Sequence, residues 1–200
     1  DLPTLGQRAE QAFPGNPEVG IPYMIEIRGR LTGAMSEEFR AIYRENLYML
    51  GLAHINWYQQ TNDPAHLAAG IPYWNEFIEY FVDDERHPLA LLNRADSFFG
   101  SEQWEEALKA YHHALSIYRF QMSDSDLLSA LRGLLAAADT TDKGPSVVDL
   151  LWELTATEFS DEVRLLCLNA LFDRALASNQ LEALLELVSL INQDQRFRYD

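Results

Sequence analysis

The feature that most constrains the fold is a helical hydrophobic period broken at short, regular intervals. In SEEFRAIYRENLYMLGLAHINWY the apolar positions Phe39, Ile42, Tyr43, Leu47, Leu50, Ile55 and Tyr58 recur about every three or four residues, which sets them along one face of a helix. The runs SDLLSALRGLLAAA, SVVDLLWELTATEF, DEVRLLCLNALFDRALA and QLEALLELVSLI repeat the pattern. β-Branched residues are scattered and no alternating segment bounded by turns occurs, so strands are not expected.

The interruptions carry helix-start signals. Pro17, Pro64, Pro88 and Pro145 stand where helices can begin, a position that needs no N–H partner. Ser36, Ser101, Ser123 and Ser160 are candidate N-caps, most of them followed by acids that suit the positive end of a helix dipole. These marks predict ten helices, near 4–13, 17–32, 36–60, 64–82, 88–99, 102–118, 124–139, 145–158, 161–177 and 180–193. Short connections predict antiparallel hairpins. The polar break Thr140–Gly144 reads as a loop within the array, because the period resumes at once. The expected organisation is one all-α domain over 1–200, with an irregular helical part about 1–35 and helix pairs about 36–82, 88–121, 124–158 and 161–193.

Charge and composition narrow the partners. With 31 acids against 15 bases the formal net charge is −16, and Lys109 and Lys143 are the two lysines. That balance argues against a phosphate-backbone ligand, which needs a clustered basic face, and against adsorption to anionic membranes, while admitting a basic partner. No apolar run reaches the ~18 residues of a membrane helix, so a soluble chain is expected, cytoplasmic or periplasmic, with no direct membrane insertion. The first residue is Asp1, as a truncated or processed N-terminus would give. Cys167 is the lone cysteine; its setting in VRLLCLNAL reads as a small buried hydrophobe rather than a catalytic thiol.

The stretch LLNRADSFFGSEQWEEALKAYHHAL resembles a tetratricopeptide repeat, a helix–turn–helix unit with the spacing W-x2-L-G-x2-Y, then A-x3-F, then P. Leu91 takes the large first position, Ala95 the small one and Phe98 the aromatic of the first helix. Ala107, sixteen residues after Leu91, takes the small position of the second helix, and Tyr111, Ala114 and Leu115 complete it. Two helices approach closely only where one side chain is small, so Ala95 and Ala107 should mark the crossing, with Trp104 and Tyr111 filling the space beside it. Arg94 departs from the family's Leu, and Arg119 stands where a closing Pro is usual. LYMLGLAH places Leu47, Leu50 and Gly51 in the same way, but its second helix arrives late, with Ala69 and Tyr73. Cys167 and Ala183 repeat the sixteen-residue spacing, with Leu171 replacing the small residue. The tetrapeptide GIPY occurs at 20–23 and again at 70–73, which reads Tyr23 and Tyr73 as equivalent positions in two diverged hairpins.

The resemblance implies a right-handed α-solenoid whose first helices line a concave surface for a peptide or helix. Projected onto this sequence, the surface holds Leu92, Asp96 and Phe99, then Tyr48, Leu52 and Ile55, then Leu168, Phe172 and Ala175. Tyr48, Leu52, Leu92, Asp96, Phe99, Leu168 and Phe172 are the expected contact residues for a protein or peptide partner of basic or amphipathic character, with the oligomeric state open. The same residues would equally form a closed core in a tightly wound array. A carboxylate at Asp96 and the absence of groove lysines argue against an acidic chaperone-type tail.

No catalytic constellation is expected. His112 and His113 are adjacent and point about 100° apart on a helix, which is no metal pair. DDERHP gathers Asp83, Asp84, Glu85 and His87 in a helix-end turn. No phosphate loop, nucleophile elbow or zinc spacing is present. The reading is therefore a non-enzymatic scaffold without cofactor or metal. Its rival is an α-helical cell-envelope or carbohydrate-binding protein with an acidic and aromatic cleft, although Trp57, Trp74, Trp104 and Trp152 fall on apolar faces. Two acids and a tryptophan in one solvent-filled pocket favour that rival; a concave apolar groove favours the scaffold.

Overall fold

Helices form at the ten predicted places, and no strand occurs among the described residues. The structure, a computed structural model, describes residues 1–13, 15–31, 36–157 and 159–193. The helices are α1 (Leu2–Ala12), α2 (Pro17–Leu31), α3 (Glu37–Thr61), α4 (Pro64–Tyr80), α5 (His87–Gly100), α6 (Trp104–Tyr118), α7 (Asp124–Thr140), α8 (Val148–Ala156), α9 (Asp161–Ala177) and α10 (Leu181–Gln193). Short 3-10 turns lie at Arg119–Gln121 and Gly144–Val147. The last residues expected in the second and eighth helices, 32 and 158, fall outside the described residues.

Start signals act mostly as read. Ser36 accepts from the Phe39 N–H at 3.3 Å and Ser123 from that of Asp126 at 3.2 Å, while Pro17 and Pro64 open α2 and α4. Three details differ. Ser101 ends α5 instead of starting α6: its hydroxyl donates to the Ser97 carbonyl at 2.6 Å, satisfying an orphan acceptor of the last turn. Ser160 makes no side-chain cap bond. Pro145 lies in the 3-10 turn, and α8 begins three residues later.

The chain divides into two compact units, Asp1–Ala114 and Leu115–Asp200, with the division inside α6. In the first unit successive helices pack as antiparallel neighbours, α1 on α2, α2 on α3, α3 on α4 and α4 on α5. Leu5, Ile21, Met24, Ile27, Leu31 and Leu50 form one apolar cluster; Leu47, Tyr48, Trp74, Phe77, Phe81 and Ala90 form a second. In the second unit α9 packs against α7, α8 and α10 around Leu131, Leu134, Leu151, Leu154 and Leu187.

The two GIPY segments occupy the same structural place. Gly20, Ile21, Met24, Ile27 and Leu31 are buried on α2, and Gly70, Ile71, Trp74, Phe77 and Phe81 are buried at the positions fifty residues on. Each glycine faces the preceding helix: a Cβ on Gly20 would meet Ala12 Cβ at 3.4 Å and the Ala9 carbonyl at 3.7 Å, and one on Gly70 would meet His54 Cβ at 2.9 Å and the Gly51 carbonyl at 3.7 Å. Pro22 and Pro72 lie inside their helices. Both are exposed, and so are Glu18 and Ala68, whose carbonyls lose an intrahelical donor and are left to water.

The late second helix of the 36–82 pair has a geometric solution. In the α5–α6 hairpin the small residues Ala95 and Ala107, both fully buried, are twelve positions apart; Gly51 and Gly70 are nineteen apart. Seven residues add about one turn to each arm, which keeps the crossing on the same faces. The insertion is absorbed as helix, at the end of α3 and the start of α4.

Candidate functional site

The α5–α6 hairpin is pinned by aromatic and polar contacts. Phe99 meets Trp104 edge-on at 4.9 Å and Tyr111 at 6.5 Å, between ring centroids. The hydroxyl of the buried Tyr111 donates to Asp96 Oδ1. Burial raises the Tyr111 phenol far above its ordinary range, reinforced by the Asp96 charge and by the hydrogen bond. Desolvation raises the Asp96 carboxyl and the Tyr111 hydrogen bond opposes that shift, although by surface area the residue is exposed. Arg94, which replaces the family's leucine, reaches Asn75 of α4 at 3.2 Å. Arg119, in place of the closing proline, donates to the Ser116 carbonyl at 2.7 Å and so caps the end of α6.

Between α3 and α5 of the first unit runs a groove of about 360 Å³. Ile55, Tyr58 and Gln59 of α3 form one wall, Asn93, Asp96, Ser97, Phe99 and Gly100 of α5 the other, with Leu67 and Tyr111 completing the lining. Gly100 makes room for Leu67: a Cβ there would stand 2.4 Å from Leu67 Cδ1.

The seven expected contact residues are not all placed in this groove. Asp96 and Phe99 line it. Tyr48 is buried, edge-on to Trp74 at 5.4 Å and beneath the Arg86 guanidinium at 4.4 Å. Leu92 is buried on α5, and Leu52 packs partly buried against the Trp74–Phe77 cluster. In the second unit Leu168 is buried and Phe172 is exposed. Tyr58, Gln59, Leu67, Asn93, Ser97, Gly100 and Tyr111 also line the groove and lie outside the projected surface. Tyr58 continues the Tyr48, Leu52, Ile55 stripe by one more turn, so its signal was in the periodicity; Asn93 shows that the open face of α5 is turned slightly from the projected one.

DDERHP builds an arginine–carboxylate cluster. Asp84 accepts from the Arg86 backbone at 2.9 Å and Nε at 3.0 Å and pairs with Arg44 at 3.3 Å, while Arg86 also reaches Glu45 at 2.8 Å. Desolvation pushes the Asp84 carboxyl up, but the hydrogen bonds from Arg86 and the charges of Arg86 and Arg44 outweigh it and hold it below its ordinary value. Cys167 is fully buried, and burial pushes its thiol up to about 12. Among the described residues no group of three His, Cys, Asp or Glu side chains is placed to hold a metal ion, and no helix is long and apolar enough to cross a membrane.

The second unit has a cavity of about 460 Å³ lined by Asp139, Asp142, Val148, Trp152, Leu171 and Arg174, among others. Arg174 pairs with Asp139 at 2.8 Å and donates to the Gly144 carbonyl at 3.2 Å, tying α9 to the end of α7 and the following turn.

Comparison with solved structures fixes the fold. The chain is similar to the crystal structure of nearly identical TPR-like repeats assigned to a kinesin light chain of Podosopora anserina, with a TM-score of 0.54 at 14% identity over 94% of this chain and 92% of that one. A point-substituted form of those same repeats matches with a TM-score of 0.52 at 15% identity over the same shares. No protein-family model and no curated protein matches the sequence. The fold is thus an all-α, TPR-like helical repeat.

Proposed function

We propose that this chain is a protein-interaction scaffold, without enzymatic activity of its own, and that its first unit holds a peptide or helix of a partner in the α3–α5 groove. The observation that carries the reading is the groove itself: an apolar and aromatic lining of Ile55, Tyr58, Leu67, Phe99 and Tyr111 between two first helices of successive hairpins in a TPR-like fold. A photo-crosslinking side chain at position 58, compared with one at the exposed position 106, tests it. Position 58 should give a discrete adduct that disappears when Ile55→Arg is added and that never forms from position 106. Identical products from both positions would overturn the reading.

The cavity of the second unit supports a second reading, a carbohydrate-binding protein, because Asp139, Asp142 and Trp152 line one space. The scaffold is favoured over it because the Asp139 carboxylate is engaged by Arg174. Oligosaccharide titration followed by tryptophan fluorescence separates the two: a saturable change lost in Trp152→Phe would support the second reading.

A further inference from the structure

We infer that the α3–α5 groove takes a peptide that presents a basic side chain beside an apolar one, with Asp96 as the anchoring charge. This assignment rests on the scaffold reading and adds the chemistry of the partner.

Asp96 is the charged residue of the groove lining; no lysine or arginine contributes to it. Tyr111 donates to one carboxylate oxygen, which fixes the side chain without neutralising it, since a phenol is a neutral donor. A carboxylate has about four acceptor sites, so capacity is left for a second donor. The side chains of Tyr58 and Phe99 line the same space beside the buried Tyr111, apolar surface against which the alkyl stem of a cation can lie. Ile55 and Leu67 supply the surface for a neighbouring apolar side chain.

The competing peptide types fare worse on the same surface. A purely apolar segment would cover Asp96 and strip its water without returning a donor. An acidic segment would meet a like charge within a chain whose formal net charge is −16. A guanidinium or ammonium replaces the lost water with a charge-assisted hydrogen bond.

Three probes test this by amide chemical-shift titration of the ¹⁵N-labelled protein: acetyl-Leu-Arg-Leu-amide, its neutral citrulline counterpart and acetyl-Leu-Glu-Leu-amide. The arginine peptide should shift amides of 55–59 and 93–100 and bind about fivefold to tenfold more tightly than the citrulline peptide, with the glutamate peptide weakest. Asp96→Asn, its fold checked by its own amide spectrum, should erase the preference for arginine. Equal affinity for arginine and citrulline in the unaltered protein, or a preference that survives Asp96→Asn, overturns the charge assignment and leaves the groove as a peptide site. Absence of shifts with all three peptides overturns both.

Discussion

Gly70 of α4 lies directly over Gly51 of α3, so closely that a Cβ on Gly70 would stand 3.7 Å from the Gly51 carbonyl oxygen. Gly51 also faces the indole of Trp74, one turn further along α4, where an added Cβ would fall 2.4 Å from ring carbons. Trp74 is fully buried and has no room to retreat. Gly51→Ala should therefore destabilise the protein by about 1–3 kcal/mol, outweighing alanine's better helix propensity. Gly29, within α2, has nothing within 4 Å of its would-be Cβ. Gly29→Ala should have the opposite sign, a gain of about 0.5–1 kcal/mol. Urea denaturation of the two variants checks both signs at once.

The matched GIPY segments predict matched responses at their prolines. Pro22 and Pro72 each remove an intrahelical hydrogen bond from an exposed helix face. Restoring the N–H is worth more than the ~0.4–1 kcal/mol of unfolded-chain entropy that proline saves. Pro22→Ala and Pro72→Ala should both raise the urea midpoint, by amounts within about 1 kcal/mol of each other. Opposite signs would mean that the two segments share letters but not a structural role.

Much of the fold was legible because helix starts have local chemistry. Pro17, Pro64, Ser36 and Ser123 stop or open a helix whatever surrounds them. Ser101 misled because a hydroxyl serves a carbonyl of the preceding helix as readily as an N–H of the next one. The groove was only partly legible. Tyr48 and Leu92 share a helix face with groove residues on a helical wheel, but whether that face is open depends on which neighbour lies against it. The packing of α4 against α3, set by Gly51 and Gly70 nineteen residues apart, buries Tyr48 beneath Trp74 and Phe77. Asp96 and Phe99 stay open because they project toward the gap between α3 and α5.

The α5–α6 crossing offers a test of the repeat itself. Ala107 is fully buried, one turn from Tyr111, whose hydroxyl holds Asp96 across the hairpin. Ala107→Leu should overpack this contact and cost about 1–3 kcal/mol. It should also loosen the Tyr111–Asp96 register, so amides of 93–100 should shift more than those of α1. An unchanged melting curve would count against the crossing.

Acid should destabilise the first unit through His54. Its imidazole is buried beside Tyr73, stacked at 5.6 Å, and Trp57. Burial, aided by the charge of His66 on α4 and opposed by that residue's backbone, lowers its pKa to about 4. The folded state thus favours the neutral ring, while the unfolded chain takes up its proton near pH 6.5. Because the unfolded state binds more protons in this window, stability is full above about pH 6.5 and falls as pH drops toward 4. The loss should approach about 3 kcal/mol from this group alone. Asp84, held below its ordinary value chiefly by Arg86 against its desolvation, adds a further loss only at the acid end, as pH falls through the carboxylate range. His54→Leu should reduce the slope of the urea midpoint between pH 7 and 5, leaving the part due to His87, whose pKa burial also lowers, and the Asp84 component below it. A slope between pH 7 and 5 that is undiminished in His54→Leu would assign the effect to another group.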